Sequence, residues 1–327
     1  MKKQLGQFFT KHSDYIPYIG SGAYCYSNST AMLLTSIGET ISPNLIEPLT
    51  GVGLGVTFEK NGFLFFSHSN LLPDLGICKA LDALGFSYQS KFSQTKSEFP
   101  IEELKRALAK GPVILGPLDM GCLIYNPDSK LLKGVDHFVL AYDMKDKDIF
   151  LHDPAGFPCV KLSLKCLKDA WMADNILYRQ GYYRYITSVK RIAEKNKKDI
   201  FKFALKFFKQ IYKQEEDASI LNGSEAILHF VNDIRTRGMS EAQRGHLASF
   251  VFPLGAKRAL DFSNFFAFGD KILSKLKYQQ ANLFGEAQVA TMENNLSTLI
   301  AVLNELAESE RNIGERIICR TYAFAYK

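Results

Sequence analysis

Three side chains that lie far apart in the sequence are of the types that activate a cysteine nucleophile. Cys25 follows a glycine-containing loop and opens an apolar segment, CYSNSTAMLLTS, that predicts a helix over residues 25–36. A thiol at a helix N-terminus lies beside backbone N–H groups and the positive end of the helix dipole, which favour its thiolate form. A buried structural cysteine at a helix start is the alternative interpretation.

His137 and Asp153 supply the other two groups that such a nucleophile needs. His137 begins a predicted strand, and Asp153 ends the next one, with the charged turn DMKDKD between them. In an antiparallel hairpin of this length the two residues come to the same end of the ladder, so the carboxylate can accept a hydrogen bond from the imidazole. Taken alone, a histidine in a strand and an aspartate at a strand end are more often structural than catalytic. Together with Cys25 they form a nucleophile, a base and an orienting acid.

The elements that must position these residues change in type along the chain. Up to about residue 188, short helical patterns alternate with β-rich runs, and from Val189 onward the pattern is almost entirely helical. We therefore predict an α+β fold with an antiparallel sheet over residues 1–188, followed by an all-helical domain over residues 189–327. The predicted elements of the first domain are helices at 25–36, 73–84 and 101–110 and strands at 113–115, 122–125, 137–142, 149–151 and 182–187.

Composition excludes several classes of protein. The 327 residues are 46% hydrophobic, which is enough to form two cores and excludes global disorder. The six cysteines lack the close pairs of zinc or redox sites, so we expect free thiols, no metal and no cofactor. A secretory signal and a long apolar run are both missing, which predicts a cytoplasmic protein without a membrane span. The net charge of +6 comes without a recognition motif, and we expect no nucleic-acid binding.

A basic amphipathic stretch, residues 190–213, follows the predicted boundary. Its apolar residues recur at helical spacing, which predicts a helix whose apolar face lies in the core. This interpretation is favoured over binding to a membrane surface or a partner, because lysine-rich outer faces are common on amphipathic helices.

The order of Cys25, HFVLAY and FLHDP resembles that of the papain-like peptidases that trim bacteriocin leader peptides. More specifically, YCYSNSTAMLL, GETIS and GVGLGVTF, within residues 24–58, resemble the N-terminal domain of the butirosin-biosynthesis acyltransferase (BtrH-like) family. The resemblance spans roughly residues 20–188. The helical remainder resembles the domain that commonly follows in that family.

This resemblance implies a papain-like fold and a thioester acyl-enzyme at Cys25. The acyl group would come from an acyl carrier protein or another acyl-thioester donor and pass to a small-molecule amine. His137 would take the thiol proton and later activate the amine, while Asp153 would hold the imidazole in its working tautomer. Papain-like hydrolases usually carry a glutamine shortly before the cysteine, and none occurs between Gln7 and Cys25. This departure disfavours amide hydrolysis more than transfer from an activated thioester.

The remaining assignments around the predicted site are less specific. We expect the backbone N–H of Cys25 to bind the oxyanion, with Tyr18 or Ser21 as a second donor. Gly53 and Gly55 fit a tight loop and could line the substrate channel. Two alternatives stay open: a peptidase or amidase, and a non-catalytic binding protein that keeps the fold. The helical region could cover the cleft, bind a carrier protein or form a homodimer.

Overall fold

The computed structural model describes residues 19–20, 24–68, 71–176, 178–213 and 220–319. It has the mixed helical and antiparallel composition predicted for an α+β protein. The helices are α1 (Cys25–Ser36), α2 (Pro43–Thr50), α3 (Pro73–Leu84), α4 (Ile101–Leu108), α5 (Leu164–Met172), α6 (Lys197–Lys213), α7 (Gly223–Arg237), α8 (Glu241–His246), α9 (Phe252–Phe266), α10 (Lys271–Met292) and α11 (Leu296–Cys319). The strands are β1 (Thr57–Phe58), β2 (Leu64–Phe65), β3 (Phe86–Ser93), β4 (Val113–Asp119), β5 (Asp136–Lys145), β6 (Asp148–Asp153), β7 (Phe157–Ser163), β8 (Tyr182–Arg191) and β9 (Leu221–Asn222).

The chain divides into two compact units that are discontinuous in sequence. The first holds the described residues up to Ile46 together with Leu84–Glu194, and the second holds Glu47–Ala83 and the chain from Lys195 onward. The second boundary lies six residues beyond the predicted limit at residue 188. The segment 47–83, which the prediction assigned to the first domain, groups instead with the helical unit, because its apolar side chains pack into that core.

The first unit is built on a six-stranded antiparallel sheet in the order β3-β8-β4-β5-β6-β7. Strand β4 is buried at every residue, as expected for an apolar run in the interior of a sheet. Helix α5 packs beside β4 and β8, and its Trp171 donates a hydrogen bond from Nε1 to the carbonyl oxygen of Arg184 at 2.7 Å. Leu115, Val139 and Leu151 from three adjacent strands join Trp171 in one core.

The second unit combines a small sheet with a helical core. Its three short strands pair antiparallel in the order β2-β1-β9. Val56, Leu64 and Phe66 from the segment 47–83 share a buried cluster with side chains of α7, α9, α10 and α11. In the described part of the chain, no helix combines the length and the apolar character needed to cross a bilayer.

Comparison with the predicted elements shows where local pattern was sufficient. The helices predicted at 25–36 and 73–84 are confirmed at both ends. The strand predicted at 122–125 is wrong, because Asp119 folds the chain back there by accepting from the backbone N–H groups of Gly121 at 2.8 Å and Gly134 at 2.9 Å. The helix predicted from residue 190 begins at Lys197, since β8 continues to Arg191, which pairs with Phe86 of the unpredicted strand β3.

Candidate active site

Helix α1 presents Cys25 toward the start of strand β5. Tyr24, at the N-cap position, has the left-handed conformation (φ 71°, ψ 38°), which is uncommon for a non-glycine residue and places Cys25 first in the helix. One turn later, the Ser29 hydroxyl donates to the carbonyl oxygen of Phe138 at 3.2 Å. The rings of Tyr26 and Phe138 meet edge to face with centroids 6.1 Å apart. The first two turns of α1 therefore lie against β5, beside His137.

The imidazole of His137 and the carboxylate of Asp153 are joined directly. Nε2 of His137 lies 2.6 Å from Oδ1 of Asp153, and the two residues are 3% and 0% exposed. His137 lies near the start of β5 and Asp153 at the end of β6, so both occupy one end of the hairpin, as the spacing predicted. In the β5–β6 ladder, the registered pair nearest to His137 and Asp153 is Leu140 opposite His152. His137 and Asp153 are therefore not directly opposite each other, and their side chains span the short offset between them.

The Asp153 carboxylate accepts hydrogen bonds from two further groups. Its Oδ1 also accepts from the backbone N–H of Ala155 at 2.7 Å, and its Oδ2 accepts from the hydroxyl of Tyr125 at 2.8 Å. The Tyr125 ring packs against Phe157 with centroids 5.7 Å apart. Sequence reasoning missed Tyr125, because no local pattern connects it to a carboxylate 28 positions later.

The Asp153 contact fixes the tautomer of His137. An ionised carboxylate only accepts hydrogen bonds, so Nε2 carries the proton that Asp153 receives. Cys25 is the second hydrogen-bonding partner of His137. Since Nε2 is already occupied, Nδ1 is the nitrogen that faces the sulfur. The structure thus brings together the three residues that the sequence singled out, with the imidazole between the thiol and the carboxylate.

The electrostatics of the site favour a charged imidazolium. Burial by itself lowers the pKa of His137, but the hydrogen bonds with Asp153 and Cys25 outweigh it and raise that pKa to about 10. Burial opposes ionisation of Asp153, yet His137, Ala155 and Tyr125 together hold the pKa of its carboxyl below the ordinary value. Burial, then the Asp153 charge, raise the pKa of Tyr125, so its hydroxyl stays a donor. A proton taken from the thiol is therefore well stabilised on His137.

The other predicted site residues lie either outside the described residues or in the second unit. Tyr18 and Ser21, the expected oxyanion donors, lie outside the described residues. Gly53 and Gly55 belong to the second unit, where Gly53 packs against Arg258 and Gly55 against His68. Their role in a substrate channel stays a prediction.

All six cysteines are free thiols, as expected. Cys159 and Cys319 are exposed, and the other four cysteines, Cys25 included, are partly buried. Exposed Cys319 serves as the reference thiol, because the sulfur of Cys159 lies 4.0 Å from Nδ1 of His152. Among the described residues, no group of three or more His, Cys, Asp or Glu side chains could hold a metal ion.

Comparison with known proteins relates most of the chain to a bacterial protein. A model of the YobF C-terminal domain family matches residues 217–318, which fall in the second unit. Over 296 residues, the chain is 42% identical to a protein of Bacillus subtilis (strain 168) that is described as the uncharacterized protein YobF. The match covers 90% of this chain and 96% of the relative. Both units therefore have counterparts in that protein.

Proposed function

The chain belongs to the YobF family, and we propose that its first unit is a papain-like cysteine acyltransferase. The proposal rests on one observation: the His137 imidazole contacts both the Cys25 thiol and the buried Asp153 carboxylate. A structural cysteine has no need of a buried, charge-stabilised imidazole, whereas a nucleophilic thiol does. The resemblance of residues 24–58 to the butirosin-type acyltransferases favours acyl transfer over the other reactions of such thiols.

The proposed first half-reaction loads Cys25 with an acyl group. His137 takes the thiol proton on Nδ1, and the thiolate attacks the carbonyl carbon of an acyl thioester, whose donor is expected to be an acyl carrier protein. The bond between that carbon and the donor sulfur then breaks. His137 returns its proton to the departing thiolate, which leaves an acyl thioester on Cys25 and a neutral imidazole.

The proposed second half-reaction transfers the acyl group to a small amine. The amine attacks the carbonyl carbon of the acyl-enzyme, and His137 accepts the proton that the nitrogen loses. The bond from carbon to the Cys25 sulfur breaks, which releases an amide and restores the imidazolium–thiolate pair. Asp153 keeps its proton-free form throughout and holds the ring in one orientation.

Thiol labelling tests the nucleophile without knowledge of the substrate. We expect iodoacetamide to modify Cys25 faster than exposed Cys319 near pH 7, because His137 can accept the proton of the Cys25 thiol. His137→Ala should reduce labelling of Cys25 to the rate of an ordinary thiol and leave that of Cys319 unchanged. Intact-mass and peptide mass measurements follow both sites. Equal labelling of the two cysteines in the native protein would support a non-catalytic binding protein instead.

Product analysis separates transfer from hydrolysis. Incubation with an acyl thioester and an amine should give an amide, whereas a peptidase or amidase gives the free acid alone. Cys25→Ala should abolish turnover and His137→Ala should lower it by roughly 10²- to 10⁴-fold. Asp153→Asn should lower turnover less than His137→Ala, because the amide oxygen of the asparagine still accepts a hydrogen bond from Nε2 of His137. The matched control, Cys159→Ala, should keep full activity, and full activity of Cys25→Ala would end the proposal.

A further inference from the structure

Helix α6 carries most of the net positive charge of the protein. Its seventeen residues hold six lysines and one acid, Asp199, a net charge of +5. The whole chain has 40 basic and 34 acidic residues, a net charge of +6. All the remaining residues together therefore contribute only +1. The acids Glu215, Glu216 and Asp217 come next in sequence and lie outside the described residues.

The charge lies on one side of the helix. At 100° per residue, five lysines fall within a sector of about 80°, and they extend for about 22 Å along the axis. We call this the lysine face: Lys198, Lys202, Lys206, Lys209 and Lys213. Four of them are exposed and Lys209 is half-buried. Among the described residues, no carboxylate forms an ion pair with Lys198, Lys206 or Lys213, so their charges remain available to a partner.

The opposite side of α6 is already occupied. Phe201, Leu205 and Phe208 lie among the buried residues of that side. The helix therefore cannot turn this side outward and insert it into a bilayer. Any partner of the lysine face is held by charge and by the few apolar groups beside it. One such group is Phe203, whose side chain is 38% exposed next to Lys202.

We propose that the lysine face of α6 adsorbs reversibly to an anionic lipid surface. A row of lysines on a convex helix fits a flat, continuous field of negative charge, and clusters of four to eight such residues are typical of attraction to anionic leaflets. Exposed Phe203 can enter the headgroup layer without unfolding the helix. Helix α6 contains no arginine, the residue that best recognises single carboxylates and phosphates through two hydrogen bonds.

Vesicle sedimentation with the full chain tests this assignment. We expect binding to vesicles of phosphatidylcholine with about one-third phosphatidylglycerol and none to phosphatidylcholine alone. Binding should be lost between about 50 mM and about 500 mM sodium chloride, because salt screens exposed charges. The assay does not use Cys25, so its outcome is independent of the proposed acyltransferase chemistry.

Matched variants separate the lysine face from the overall charge. Lys198→Gln, Lys202→Gln and Lys206→Gln combined should weaken vesicle binding by at least about tenfold. The control, Lys165→Gln, Lys271→Gln and Lys275→Gln combined, removes the same charge from exposed positions elsewhere and should change binding by less than about twofold. Phe203→Ser should weaken binding without a change in net charge. Thermal unfolding midpoints verify that all variants are folded.

Three results would overturn the proposal. The first is the absence of binding to the anionic vesicles at low salt. The second is an equal loss of binding in the control variant. The third is binding of poly-L-glutamate or duplex DNA through the lysine face without binding to vesicles, which would assign the face to an acidic protein or to nucleic acid.

Discussion

At the scale of single residues, Asp153 determines what the site can do. Its carboxylate is completely buried, and it accepts from Nε2 of His137, from the backbone of Ala155 and from the hydroxyl of Tyr125. The two oxygens are thereby fixed in the plane that directs Oδ1 at the imidazole. A buried carboxylate that lost one of these donors would retain its charge with less compensation.

Tyr125→Phe removes one donor and keeps the ring that packs on Phe157. We expect the variant to lose about 1–3 kcal/mol in free energy of unfolding, because the bond to a buried carboxylate is charge-assisted. We also expect slower labelling of Cys25, since Oδ1 is then less firmly aligned with Nε2. Urea unfolding and iodoacetamide kinetics measure the two effects. The control is Tyr142→Phe, a tyrosine of the same sheet that contacts His152 instead; equal effects of the two changes would contradict this role.

The raised pKa of His137 makes part of the stability depend on pH. An unfolded histidine titrates near 6.5 and folded His137 near 10, so the folded state binds the proton more tightly. Its stabilisation is complete below about pH 6.5 and is lost as the pH rises through about 10. In urea unfolding between about pH 5.5 and 10.5, the stability difference between the native protein and His137→Gln should shrink as the pH rises. A difference that stays constant across this range would contradict the raised pKa.

At the scale of elements, the packing of α1 on β5 determines whether Cys25 reaches His137. The link is short: Ser29 donates to the carbonyl of Phe138, the residue after His137. Tyr26 supplies an edge-to-face contact at the same place. Because the Cys25 thiol is at the first position of the helix, a small tilt of α1 moves the sulfur more than it moves the later turns.

Ser29→Ala is expected to loosen this contact. We predict a loss of about 1 kcal/mol in free energy of unfolding, with slower alkylation of Cys25 by iodoacetamide. Ser36→Ala is the matched control, because the Ser36 hydroxyl bonds only within α1, to the carbonyl of Leu33 at 2.7 Å. Its effect on both quantities should be smaller. Equal labelling rates for Ser29→Ala and the native protein would show that α1 is held by other contacts.

Local sequence signals were sufficient to predict several helices and strands. They could not predict features that depend on contacts between residues far apart in the chain. The helices α1 and α3 were predicted at both ends, and each is followed by a glycine with positive φ, Gly38 and Gly85. The hairpin of β5 and β6 could be predicted from alternation and its polar turn. The path of the chain at residues 120–135 could not, because Asp119 organises it through hydrogen bonds that no periodicity records. Tyr125 belongs to that segment, so its contact with Asp153 could not be predicted either.

At the scale of the whole molecule, the discontinuous second unit is the main departure from the predicted domains. A change from mixed to helical pattern located the boundary near residue 190, but periodicity cannot report which core a distant segment joins. Val56, Leu64 and Phe66 are apolar residues in or next to the short strands β1 and β2, and local sequence assigns them equally well to either unit. Only their packing against α7, α10 and α11 decides the question.

A fragment with residues 189–327 alone should therefore fail to fold. It lacks the strands β1 and β2 and the buried side chains of Val56, Leu64 and Phe66, which lie in or next to them. Truncation of even one buried phenylalanine typically costs about 3–5 kcal/mol, a large part of the stability of a domain. We expect no cooperative thermal transition by circular dichroism. Joining residues 47–83 to residues 195–327 through a flexible glycine–serine linker should restore one, and a cooperative transition in the shorter fragment would contradict the division.

The discontinuity of the second unit also separates the synthesis of its two segments in time. Phe66 leaves the ribosome about 160 residues before Ala226, the first α7 residue of the core that they share. At typical rates of protein synthesis this interval lasts on the order of ten seconds. Throughout it, Val56, Leu64 and Phe66 lack the helices α7, α9, α10 and α11 with which they form their core. Newly made chains are consequently most vulnerable to aggregation in this window, and slow codons placed within it would lengthen the exposure.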